Sequence, residues 1–327
     1  MSALLHESSV TTSAVAAEIP KNAKIFVAGH LGLVGSALVR ALEKSGYRNL
    51  VLRTRAELDL SDQQAVQSFF ESEKPEYVFL AAAKVGGIMA NKTRPANFIA
   101  ENLAIELNVI EAARAHGVQK LLFLGSSCIY PKFASQPIAE SELLAGPLEE
   151  TNRAYAVAKI AGIVLCQSYN EQYGTNFISV MPTNLYGPND NFDFETSHVL
   201  PALLRKFHEA KKSGAKSVTL WGTGAASREF LHVDDLAYAC LFLMNTYDGS
   251  SIVNIGTGED LSIKDLAQRI QKIVGYTGTI EWDTSKPDGT PRKLLNVAKL
   301  HTLGWHHQIS LDEGLKTTYE WYCTNYE

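Results

Sequence analysis

Lys24-Ile-Phe-Val-Ala-Gly-His-Leu-Gly-Leu-Val-Gly35 carries an apolar run straight into three evenly spaced glycines. Lys24 to Ala28 reads as a short buried strand. Beyond the glycines, Leu33, Val34, Ala37, Leu38, Ala41 and Leu42 recur at helical spacing until Gly46 ends the pattern. Strand, glycine turn and helix in that order suit a dinucleotide. Glycine lets the backbone turn tightly and approach a pyrophosphate resting on the helix N-terminus. The plainer alternative, a structural glycine turn, is disfavoured by the alternation that follows. Gly29, Gly32, Leu33, Val34 and Gly35 are therefore the expected cofactor cradle.

Outward from that loop the same rhythm repeats. Strands are expected at 50–52, 77–80, 121–124 and 177–181, and helices around 65–70, from Pro95 to His116 and from Tyr155 to Tyr173. Near-continuous apolar strands separated by helices mean a parallel sheet covered on both faces. After Pro182 the pattern breaks into loops rich in Asn, Gly and Pro. The expected fold is α/β: a Rossmann-like, doubly wound parallel sheet with a smaller α/β substrate-binding C-terminal domain. The expected division is a loose tail over 1–21, a nucleotide-binding domain over 22–182 that regains 229–258, and a substrate domain from 183–228 and 259–327.

Composition narrows the function. The chain has 327 residues, 46% of them hydrophobic, which is ample for packed cores and excludes general disorder. Thirty Lys and Arg against 35 Asp and Glu give a net charge of -5, without the basic excess that nucleic acid or an anionic membrane would call for. Apolar runs such as Tyr77 to Ala83 are too short to span a bilayer. Residues 1–21 lack both the basic start and the apolar core of a targeting segment. Cys128, Cys166, Cys240 and Cys323 form no paired spacing, so neither a zinc cluster nor a disulfide framework is expected, and no metal site is read. Sparse, scattered cysteine fits a reducing compartment, the cytoplasm.

Two further patterns carry chemistry. The second strand ends in Leu52-Arg53-Thr54-Arg55, with no acid before Glu57. An acid there would bond the ribose hydroxyl of NAD, whereas arginine suits the extra phosphate of NADP(H). Tyr155-Ala-Val-Ala-Lys159 places a phenol and an ammonium on one helical face. The cation is expected to lower the tyrosine pKa and help the phenol pass a proton to a carbonyl oxygen during hydride transfer. Ser126, just after the strand at 121–124, would polarise the same carbonyl.

The glycine loop, the strand-end Ser126 and the Tyr155/Lys159 pair together resemble the extended short-chain dehydrogenase/reductase family. Longer strings resemble its GDP-L-fucose synthase branch: Leu80-Ala-Ala-Ala-Lys-Val-Gly-Gly87, Gly125-Ser-Ser-Cys-Ile-Tyr-Pro131, Met181-Pro-Thr-Asn-Leu-Tyr-Gly187, Arg228-Glu-Phe-Leu-His-Val-Asp-Asp235 and Lys286-Pro-Asp-Gly-Thr-Pro-Arg-Lys293. The resemblance implies 3,5-epimerisation and NADPH-dependent 4-reduction of a GDP-4-keto-6-deoxymannose in one pocket. It implies Cys128 and His198 as the epimerising pair, Tyr155 as proton donor with Lys159 and Ser126 in support, and His198 also at the cofactor. Arg228 and Lys293 would hold the diphosphate. Asn184, Leu185, Lys206 and Trp221 would border the GDP-sugar, and the enzyme would be a homodimer. Leu31, Arg94, Asp193-Phe194 and Lys206 depart from the branch's pattern. Lys206 keeps an arginine's charge but not its bidentate geometry. Rival readings are a 4-epimerase or 4,6-dehydratase on the same fold and a catalytically silent NADP-binding protein. An Asp-Glu pair after the strand-end Ser would mark the dehydratase, and Ser127-Cys128 stand there instead.

Overall fold

The computed structural model describes residues 18–326 apart from 195, 287 and the side chain of 88. In its first half β1 (Ile25–Ala28), α1 (Leu33–Lys44), β2 (Leu50–Val51), α2 (Gln63–Glu73), β3 (Tyr77–Leu80), α3 (Ile88–Thr93), α4 (Pro95–Ala115), β4 (Lys120–Leu124), α5 (Arg153–Tyr173) and β5 (Phe177–Pro182) follow in order. Pro95 opens α4, where its missing N–H costs nothing, and left-handed Gly174 closes α5. In the second half come β6 (Asn184–Tyr186), α6 (Val199–Ser213), β7 (Ser217–Trp221), β8 (Ser227–Arg228), β9 (Phe230–His232), α7 (Val233–Thr246), β10 (Val253–Ile255), β11 (Leu261–Ser262), α8 (Ile263–Val274), β12 (Thr279–Asp283), β13 (Arg292–Lys293), α9 (Ala298–Thr302) and α10 (Leu311–Tyr326).

Six strands form one sheet in the order β10-β5-β4-β3-β1-β2, with every pairing parallel. This is the doubly wound, Rossmann-like arrangement that the alternation implies. Side chains alternate across it. Phe26, Val78, Leu121 and Phe177 enter the core under α2, α4 and α5. Ile25, Tyr77, Leu122 and Ile178 enter the opposite core under α1 and α7. The order reverses between β1 and β3, and the glycine loop leaves β1 at that switch point, where such sheets open a ligand crevice.

Among the described residues the chain returns to the sheet only through β10, beside β5, while α7 covers the face next to α1. A third core, built on Phe207, Leu204, Leu220, Leu266, Ile270 and Tyr322, belongs to α6, α8, α10 and the short sheets around them. Glu229 joins the parts. Fully buried, its carboxylate accepts the backbone N–H groups of Thr257 (2.7 Å), Gly258 (2.8 Å) and Leu295 (3.0 Å). Of the loose segment expected over 1–21, residues 1–17 lie outside the described residues. Ile19 is buried, with its N–H on Asn245 Oδ1 and its carbonyl on the Tyr47 hydroxyl.

Candidate active site

The glycine loop packs backbone on backbone. Gly29 adopts φ +86°, and a Cβ there would lie 2.8 Å from the Ala82 main chain. A Cβ on Gly35 would meet the Gly29 carbonyl oxygen at 2.0 Å. Gly32 caps α1 without a side-chain bond, and no acid occupies the first turn. The N–H groups that open the helix, those of Leu33 and Val34 included, are left for an anion. Close approach and unclaimed donors fit a pyrophosphate.

The two strand-end arginines separate. Arg53 is held by Glu73 Oε1 at 2.5 Å and donates to the Leu52 carbonyl. Glu57 turns back on the N–H and hydroxyl of Thr54. Arg55 remains mostly exposed, with Glu101 Oε2 at 3.8 Å as a loose partner. Of the two arginines it is the less committed to a protein partner, and Leu31, within the glycine loop, is exposed.

Ser126 leaves β4 extended, and its Oγ accepts the Cys128 N–H at 3.2 Å while bonding the Tyr155 phenol. One turn along α5, Lys159 Nζ lies 5.9 Å from the centre of the Tyr155 ring and 4.7 Å from that of Phe123. The expected lowering of the tyrosine pKa is corrected here. Burial first, then the nearby Cys128 and Glu106, push the phenol well above its ordinary value. Glu106 Oε1 stands 3.2 Å from Lys159 Nζ and pairs with the ammonium. The phenol accordingly keeps its proton.

Cys128 is the half-exposed thiol of a 3-10 turn, whereas Cys166 and Cys240 are buried. Lys293 Nζ reaches its sulfur at 3.6 Å. His198 is the N-cap residue of α6 and is exposed to solvent. Surrounding protein first, and the Lys293 ammonium second, hold its pKa below the usual histidine range, so the imidazole is neutral near pH 7. Lys293 thus stands by both members of the expected epimerising pair. The β13–β8 register sets Lys293 beside Arg228, whose guanidinium donates to the Ser227 carbonyl and is disfavoured by burial.

The remaining expected residues make contacts of their own. Lys206 and an exposed Trp221 form their own pair, 5.9 Å from ammonium to ring, with Lys286 at 5.8 Å on the same ring. Asn184 spends its amide on the Glu229 carbonyl, and Leu185 is half-buried against the core under α1 and α7. Asp193 bonds Thr196 within its own loop, Phe194 lies 3.9 Å under the Arg205 guanidinium, and Arg94 is exposed at the end of α3.

Two residues escaped the sequence reading. Glu106 lies on α4 in line with Asn102 and Val109, and its one sequence signal is an acid on an otherwise inward face. Glu229 sits inside a quoted string, but nothing in its spacing shows that its carboxylate anchors three distant N–H groups.

The family described as "NAD dependent epimerase/dehydratase family" matches residues 25–256. GDP-L-fucose synthase 1 of Arabidopsis thaliana is 62% identical, over 96% of this chain and 97% of its own. Among solved structures, a GDP-L-fucose synthetase from Naegleria fowleri bound to NADP superposes with a TM-score of 0.90 at 33% identity, covering 96% of each chain. A GDP-6-OMe-4-keto-L-xylo-heptose reductase from C. jejuni also superposes with a TM-score of 0.90, at 45% identity, covering 94% of this chain and 99% of that one. On the family match and these identities, the chain belongs to the NAD dependent epimerase/dehydratase family, among the relatives of the GDP-L-fucose synthases.

Proposed function

We propose that the protein converts GDP-4-keto-6-deoxy-D-mannose to GDP-L-fucose by 3,5-epimerisation followed by NADPH-dependent 4-reduction. The observation that carries this reading is the gathering of Cys128, Lys293 and His198 beside the Ser126–Tyr155–Lys159 group. A reductase alone needs only the latter group. The C4 ketone acidifies the protons on C3 and C5, and their removal leaves an enolate whose oxygen the Ser126 and Tyr155 hydroxyls stabilise. Inversion needs a proton removed from one face and returned to the other, work that a neutral imidazole and a thiol on opposite sides divide between them. Lys293 offers a positive partner to the sulfur whenever the thiol gives up its proton.

NADPH, when bound, supplies the hydride that C4 receives. Tyr155 then gives its phenolic proton to the C4 oxygen while Ser126 holds that oxygen in place. Gly29, Gly32, Leu33, Val34 and Gly35 would seat the pyrophosphate, with Arg55 toward the 2′-phosphate and Lys159 and His198 bordering the nicotinamide end. Arg228, with Lys293 beside it, would meet the substrate diphosphate. Trp221 and Lys206 would border the nucleotide, and Asn184 and Leu185 the sugar. In this reading residues 22–182 with 229–258 hold the cofactor, and 183–228 with 259–327 hold the substrate.

Incubation with GDP-4-keto-6-deoxymannose and NADPH tests the proposal by loss of NADPH absorbance and by product stereochemistry. GDP-L-fucose is the expected product, and a 4-hydroxy product with C3 and C5 uninverted would leave only a reductase. The working assembly is a homodimer. Leu103 and Leu107 on α4, with Val157 and Val164 on α5, leave an apolar stripe uncovered on two neighbouring helices, which suits a second copy of the chain. A reactive thiol fits the reducing cytoplasm, where it survives oxidation.

A further inference from the structure

The pair Glu106–Lys159 stands out as an acid and a base, each only 2% exposed, facing one another beneath the site. Neither carboxylate oxygen accepts any further hydrogen bond among the described residues. The setting is tightly built. A Cβ on Gly162 would fall 2.9 Å from Glu106 Oε2 and 2.4 Å from the Phe123 ring, so the helix crossing of α4 and α5 leaves room for this carboxylate and little else. An acid so placed costs desolvation unless it is paired. The sequence meets that cost where an apolar residue would pack more simply.

We propose that Glu106 is a positioning residue for the reduction: its carboxylate balances the Lys159 ammonium, so that Tyr155 keeps its proton into alkaline solution and still has it to give to the C4 oxygen. This rests on the reading of Tyr155 as the proton donor. Without Glu106, Lys159 would act on the phenol as an uncompensated cation and favour phenolate, which has no proton to deliver. The groups that bear on the pair are few. Lys159, Tyr155 and Cys166 face it from α5, Cys128 reaches Tyr155 from the turn after β4, and β4 itself contributes only the Phe123 ring. Burial raises the Glu106 carboxyl to about 7, against the opposing pull of Lys159. The compensating charge is therefore present on the alkaline side, where the phenol would otherwise be lost.

The test is the pH profile of kcat for reduction, read with saturating NADPH and GDP-4-keto-6-deoxymannose, on Glu106→Gln and Glu106→Asp. Glu106→Gln is expected to bring the alkaline limb down by about one pH unit or more, which is about tenfold in rate on the limb. The KM for NADPH should stay unchanged. Glu106→Asp keeps the charge but withdraws it by a methylene, and its limb should fall between the two. A folded Glu106→Gln enzyme whose limb coincides with the wild-type one, or lies above it, overturns the proposal. If Glu106→Gln does not fold, Glu106→Asp decides alone: a limb below wild type supports the proposal, and one at or above it overturns it. Failure of the underlying reading is separate, because it would appear as wild-type protein that does not reduce this ketone at all.

Discussion

At Cys128 what separates the proposed working thiol from a packed one is its neighbours. Cys166 is pushed up to about 12 by burial, whereas Cys128 is half-exposed with an ammonium 3.6 Å from its sulfur. Cys128→Ser is expected to lower epimerisation by about 10²–10⁴-fold, the usual worth of a positioned acid or base. Fold and NADPH affinity should survive, as circular dichroism and cofactor titration would check. Tyr155→Phe should cost reduction a similar factor while leaving proton exchange at C3 measurable. The types of these residues were legible from their strings, but their electrostatics were not. The tyrosine reading missed the burial of the phenol and an acid 49 residues earlier in the chain, on another helix, that pairs with the lysine. A pairing made by two helices crossing leaves no trace in local spacing.

At the scale of elements, legibility followed length and periodicity. The strands β1, β3, β4 and β5 are apolar runs, and α1 and α5 carry helical spacing into a glycine stop, so each was readable within a residue or two. The two-residue strands β8, β11 and β13 have no period to read, yet the register of β13 on β8 is what sets Lys293 beside Arg228. Glu229 holds that region to the loop after β10. Glu229→Ala would strand three backbone N–H groups, at about 1–3 kcal/mol for each left unsatisfied. A lower melting temperature should accompany weaker binding of the GDP-sugar. In the cofactor loop, Gly35→Ala drives a methyl into the Gly29 carbonyl. A loss of about 1–3 kcal/mol or more in stability is expected, together with loss of NADPH binding in a fluorescence titration.

The whole molecule carries its own pH signature. Asp190 is buried, its Oδ2 has no partner among the described residues, and its carboxyl is raised to about 7. A carboxyl raised on folding binds its proton more tightly in the native state than in the unfolded chain. Its contribution therefore favours the fold below the unfolded value near 4 and is lost as pH climbs through about 7. Asp190→Asn should flatten the fall in stability between about pH 4 and pH 7, where one such group contributes about 1.4 kcal/mol per unit. Denaturant midpoints at several pH values check this. The apolar stripe on α4 and α5 makes a separate prediction. Leu107→Glu combined with Val164→Glu should turn a dimer into a monomer in sedimentation velocity, because charge on both helices cannot be buried against a second copy.

The central claim is that one pocket inverts two carbons and reduces a third. The most direct measurement is the reaction of GDP-4-keto-6-deoxymannose with unlabelled NADPH in heavy water, with the product read by NMR. Solvent-exchanged protons at C3 and C5 and a hydride from the cofactor at C4 predict GDP-L-fucose deuterated at C3 and C5 and protonated at C4. A reduced product without deuterium at C3 and C5 would contradict the account.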